Sequence, residues 1–140
     1  MTDRVGSGNR TEVPLRSGLA GHVELTVTDD DTAIAVRSGD VPVLSTPRIV
    51  ALCEEAAVAA VTGQLEQGET TVGMRIQLDH LAPIAVGGRV TVDARLDKIQ
   101  GRRLLFTVSV NDDRGLVAAG KVQRVVVERA RFMDKTNCVP

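Results

Sequence analysis

The chain has 140 residues, enough for one hydrophobic core, with 43% hydrophobic and 25% charged residues, the proportions of an ordinary globular domain. A formal net charge of −1 gives no electrostatic reason to bind nucleic acid or an anionic membrane, and with no Trp, no Tyr and 2 Phe the chain lacks aromatic platforms for single strands. No stretch approaches the ~20 apolar residues of a membrane span, no apolar leader opens the chain, and Cys53 and Cys138 have neither disulfide-framework nor zinc spacing. The sequence therefore reads as a cytoplasmic protein with no structural metal and no membrane partner.

Residues 1–12 are polar and Gly-rich and are expected to be disordered, as is the tail 134–140, leaving one domain over 13–133. In Gly21–Thr28 the residues Val23, Leu25 and Val27 alternate with polar neighbours, which predicts a half-buried strand. Asp29, Asp30 and Asp31 mark a turn, and Thr32–Val36 reads as a short returning strand. The following loop, Arg37–Leu44, contains the breakers Gly39 and Pro42. Ser45-Thr46-Pro47 then signals a helix, with Thr46 as N-cap and Pro47 in the first helical position. The helix is predicted to run to about Val61, with Gly63 as its stop.

The remainder alternates with period two. Val72, Met74, Ile76 and Leu78 are predicted to share one strand face, and the same parity carried forward reaches His80. Val90 to Leu96, Leu104 to Val110 and Leu116 to Val127 give three more strands, joined by short turns at Gln100-Gly101-Arg102 and Asn111–Gly115. One helix followed by a run of strands is an α+β plan: a long central helix against an antiparallel sheet.

Two adjacent glutamates interrupt the apolar helix, and at about 100° per residue they face different ways. Ile49, Cys53, Ala56 and Ala60 form the buried arc, with Cys53 read as a packed small hydrophobe. Arg48, Glu55 and Thr62 cluster on the polar side, where Glu55 is expected to be solvated and to pair with Arg48. Glu54 falls between Val50, Val58 and Val61 at the edge of the apolar arc. A carboxylate there is partly desolvated and available for acid, base or nucleophilic work; the alternative is a boundary residue reaching out to water. His80 is either a satisfied core histidine or a partner to that carboxylate. His22 shares a face with Glu24 and Thr26 and reads as a surface residue. Thr46 needs no role beyond capping, yet a helix N-terminus also stabilises developing negative charge. No phosphate-binding glycine loop, nucleophile elbow or HExxH pattern is present.

The ordered set Leu44-Ser-Thr-Pro47, Glu54, Gln67–Gly73, His80-Leu-Ala-Pro83, Val86-Gly87, Gly101–Leu104 and Gly120–Arg124 resembles the hot-dog fold. Within it, the similarity is to the fluoroacetyl-CoA thioesterase-like family, from about Gly18 to Phe132. The resemblance implies a homodimer with joined sheets and two interface sites. It further implies a catalytic set of Thr46, Glu54 and His80, a Gly73 beside the thioester and an Arg124 at the CoA end of the site, with acyl-CoA as substrate and no cofactor. Fluoroacetyl-specific members carry aromatic residues in the loop before the helix, and Arg37–Leu44 has none, so what carries over is the reaction class. A non-catalytic acyl-CoA binding protein on the same fold is the competing reading. A hot-dog hydratase is disfavoured, because it would need its Asp and His a few residues apart and the chain offers only adjacent Asp79 and His80.

Overall fold

The computed structural model describes residues 15–137; residues 1–14 and 138–140, including Cys138, lie outside the described residues, so the expected disorder of 1–12 does too. Five strands form one antiparallel sheet: β1 (Ala20–Thr26), β2 (Glu69–His80), β3 (Arg89–Gln100), β4 (Arg103–Asp112) and β5 (Gly115–Glu128). Their order across the sheet is β1-β3-β4-β5-β2, which leaves β1 and β2 as its two edges. The long helix (Thr46–Val61) packs mainly on β1 and β3 and more lightly on β4, β2 and β5. This is the α+β plan read from the alternation.

The core lies between that helix and the inner sheet face. Ile49, Leu52, Cys53, Ala56, Ala57 and Ala60 meet Val90, Val92, Leu96, Leu104, Phe106 and Val108, all buried. The alanines let helix and sheet approach closely. At Gly21 the backbones come closest: a Cβ there would collide with the Ala56 carbonyl and the Ala60 nitrogen of the helix.

Four local features differ from the sequence reading. The helix N-cap is Ser45, whose Oγ accepts from the Arg48 N–H at 3.1 Å, so Thr46 and Pro47 are the first two helical residues. Residues Ala33–Val36 form a helical turn rather than a strand, because the Thr32 side chain accepts from Ala35 N–H and caps it. Arg48 pairs with Asp31, at 2.9 Å, instead of Glu55. The chain after β5 continues as a short helix (Arg129–Asp134) and a 3₁₀ turn (Lys135–Asn137), with Thr136 Oγ1–H donating to the Met133 carbonyl.

A fifth difference shapes the site. Gly73 opposes Arg124 but Arg75 opposes Gln123, so Met74 is the extra residue of a β-bulge. The bulge reverses the parity of β2 at that point. Thr71 and Gly73, opposite Val126 and Arg124, therefore share the inner face with Ile76, Leu78 and His80, while Met74 is 48% exposed. The single face predicted for Val72, Met74, Ile76 and Leu78 does not exist.

Candidate active site

The five residues singled out in the sequence lie in two clusters along the seam between the long helix and β2, four on those two elements and Arg124 reaching in from the neighbouring β5. At the N-terminal end of the helix, Thr46 Oγ1 lies 2.7 Å from His80 Nδ1. His80 Nε2 lies 3.1 Å from the Ala82 carbonyl. That carbonyl only accepts, so in the neutral ring Nε2 bears the hydrogen and Nδ1 accepts from the Thr46 hydroxyl. Ser45 takes the capping role, so the Thr46 side chain is not tied to the helix backbone and its O–H is directed at the His80 ring. The helix end is itself pinned by Asp31. It accepts from Thr28 N–H at 2.8 Å, Thr28 Oγ1–H at 3.0 Å and Arg48 Nε–H at 2.9 Å. Burial pushes the Asp31 carboxyl up, but these donors outweigh it and hold the group below its ordinary value.

Two turns further along the helix stands Glu54, about 12 Å away by helical rise. Its Oε2 accepts from Arg124 Nη1–H at 2.9 Å, and its side chain keeps 35% exposure. Glu54 is thus an ion-paired, partly exposed carboxylate rather than a desolvated orphan. Arg124 is buried, at 7%. Its Nε donates to Thr71 Oγ1 at 2.9 Å and its Nη2 to the Thr71 carbonyl at 3.0 Å. Burial lowers the Arg124 pKa, with the Glu54 charge and hydrogen bond opposing, and the guanidinium stays cationic. Gly73 completes this cluster by having no side chain: a Cβ there would sit in hard contact with Glu54 Oε2. Glu55 is exposed, on the solvent side as expected.

The structure therefore joins Thr46 to His80 and Glu54 to Arg124 and Gly73. It gives no direct bond between the two clusters among the described residues. A cleft of about 300 Å³ opens beside the Glu54 end, lined by Val58, Val61, Leu65, Thr70 and Thr71 among others. A larger one, about 810 Å³, lies between the β2–β3 connection and the β4–β5 turn, and none of the five residues lines it. Cys53 is fully buried beside Glu54, and burial, reinforced by that neighbouring charge, pushes its thiol up to about 12, so it is an inert packing residue. Among the described residues no group of three or more His, Cys, Asp or Glu side chains is placed to hold a metal ion.

Sequence reasoning missed two participants, Thr71 and the Ala82 carbonyl. Thr71 was within reach, since it lies two residues before Gly73 and shares its face by simple strand parity. The Ala82 contact was not, because a main-chain carbonyl carries no sequence signal.

Comparisons with known proteins place the chain in a family. Residues 27–130 match the family model described as fluoroacetyl-CoA-specific thioesterase. A fluoroacetyl-CoA thioesterase of Streptantibioticus cattleyicolor is 37% identical over 95 residues, 68% of each chain. A solved fluoroacetyl-CoA thioesterase superposes with a TM-score of 0.83 at 30% identity, covering 90% of this chain and 98% of that one. A hot-dog-like protein from Thermanaerovibrio acidaminovorans does so with a TM-score of 0.80 at 27% identity, covering 86% and 89%. The sheet wrapped on one long helix is thus the hot-dog fold, and the chain belongs to the fluoroacetyl-CoA-specific thioesterase family.

Proposed function

We propose that this chain hydrolyses an acyl-CoA thioester to the free acid and CoA, with Glu54 as the reacting carboxylate and Thr46–His80 as the proton relay. The observation that carries the reading is the Glu54 carboxylate, tied through Oε2 to Arg124, one-third exposed, and facing a strand position without a side chain. The absent side chain makes space for the carboxylate itself, and its one-third exposure leaves it open to a thioester. Glu54 either attacks the carbonyl carbon, giving an anhydride that water then opens, or takes the proton of a water that attacks in its place. Both routes expel CoA thiolate, consume one water and give the same products. The thiolate takes its proton from the Thr46 hydroxyl as a His80 protonated at Nδ1 passes that proton to Thr46 Oγ1, and the proton released from the attacking water restores His80. The reaction as written needs no cofactor.

Replacing Glu54 with Gln should lower kcat for thiol release by roughly 10²–10³-fold with the fold retained. Wild-type turnover in that variant would remove Glu54 from the mechanism. CoA binding by the wild type with no thiol release from any acyl-CoA would instead favour a binding protein. A second reading has Thr46 as nucleophile and His80 as its base, favoured by their 2.7 Å contact; it predicts an acyl group trapped on Thr46 in a single turnover. The acyl group itself is addressed by a panel of acyl-CoAs that includes fluoroacetyl-CoA, the substrate that names the relatives.

The proposal includes a homodimer. β2 is a 12-residue edge strand, and Met74 on it and Val58 on the long helix are 48% and 43% exposed, so a second copy continuing the sheet would cover apolar surface that one chain leaves open. A cytoplasmic setting fits the free Cys53 thiol in the core. No described helix is long and apolar enough to cross a membrane.

A further inference from the structure

We infer that Thr71 is a positioning residue for the reaction: it fixes the Arg124 guanidinium, and through it the choice of which Glu54 oxygen is free to react. The inference rests on the role proposed above for Glu54. A guanidinium is a rigid planar fork. Two of its nitrogens, Nε and Nη2, are tied to the same residue, to Thr71 Oγ1 at 2.9 Å and the Thr71 carbonyl at 3.0 Å. Fixing the plane at those two points dictates where the third nitrogen points. Nη1 meets Glu54 Oε2 at 2.9 Å, which leaves Oε1 as the oxygen with no hydrogen bond from the described residues.

Burial makes the arrangement firm. Thr71 and Arg124 are 8% and 7% exposed, so bulk water does not compete for the Nε hydrogen. The β-branched Thr71 side chain has restricted χ1 freedom, and the Met74 bulge that follows fixes the local twist of β2. A valine in place of Thr71 would fill the same volume and leave Nε as a buried donor without an acceptor. The guanidinium would turn to find one, and the carboxylate held on Nη1 would turn with it.

The test is steady-state thiol release by the full chain on an acyl-CoA that the wild type turns over, comparing Thr71→Val, Thr71→Ser and Glu54→Gln. Thr71→Val is expected to lower kcat by about 10–100-fold, the scale of a small misplacement of a reacting group, with KM changed less than about twofold. Thr71→Ser restores the hydroxyl and is expected to recover kcat to within about threefold of wild type. A loss of folded enzyme would also lower apparent kcat at unchanged KM, so kcat is referred to sites counted by CoA-binding titration; a purely structural role then leaves kcat per site at the wild-type value. Unchanged kcat in Thr71→Val, or serine as poor as valine, overturns the inference. If Thr71→Val does not fold, Thr71→Ala removes the same hydroxyl and is read in the same way. Full activity in Glu54→Gln brings down the underlying assignment, whereas an inactive Glu54→Gln beside a fully active Thr71→Val brings down the Thr71 relay alone.

Discussion

At the scale of single residues, the site is organised by where hydrogen bonds are not spent. Ser45 takes the capping bond, and Thr46, one position later, is left to donate to His80. Arg124 spends two donors on Thr71 and one on Glu54, so the carboxylate has one held oxygen and one free. Gly73 contributes an absence of atoms. Its φ lies outside the left-handed region, so an alanine there is no backbone problem, and the position is exposed. The Cβ would nonetheless collide with Glu54 Oε2. Gly73→Ala should therefore fold and melt nearly as wild type while kcat falls by about 10²-fold. Full activity in that variant, measured beside a melting curve, would show that the carboxylate is free to move and that the ion pair does not set its position.

At the scale of elements, the helix N-terminus is a small assembly in its own right. Asp31 ties the turn at Thr28 to Arg48 of the helix, and its main-chain carbonyl accepts from Ser45 N–H at 3.0 Å. Because the Asp31 pKa is lowered in the folded state, its contribution to stability is present above the unfolded value near ~3.9 and is lost as pH falls through the folded value. Asp31→Asn should cost about 2 kcal/mol at neutral pH, the scale of hydrogen bonds to a charged group. Denaturant titrations at pH 7 and pH 3 should show the gap between variant and wild type narrowing at the lower pH; a constant gap would mean that Asp31 acts through shape alone.

The elements also show what the sequence carried. The strands and the long helix were legible because their apolar periods of two and 3.6 reflect burial on one face. The bulge was not, because Met74 is apolar and keeps the alternation looking intact across a position where the strand changes face. The turn Ala33–Val36 was misread because four residues are too few for either period to show, and a single cap at Thr32 decided the outcome. Glu54 and His80 were identifiable as anomalies on apolar faces, and Thr46 and Arg124 were named beside them, but which pairs with which was not legible, because it depends on how the sheet sets β2 and β5 against the helix. Arg48 and Glu55 share a helix face, but Asp31, remote in sequence, supplies the better-buried acceptor.

At the scale of the whole molecule, the proposed dimer places the site beside a second copy of the chain. Thr46–His80 and Glu54–Arg124 lie at two points of an open seam, and the β2 edge beside them has a ladder partner on one side only. The proposed dimer would bury Met74 and Val58, which one chain leaves about half exposed, and each fully buried side chain of that kind is worth roughly 1.5–3 kcal/mol. Placing a charge at Met74 converts that gain into a penalty. Met74→Asp should thus weaken association by at least roughly 10–100-fold, since each ~1.4 kcal/mol is a factor of ten. Met74 takes no part in the hydrogen bonds among Glu54, Arg124 and Thr71, so those bonds are left in place. Sedimentation across a concentration series should then show wild-type dimer and variant monomer, with kcat falling as the monomer fraction rises. A monomeric Met74→Asp that keeps full activity would locate the complete site within one chain.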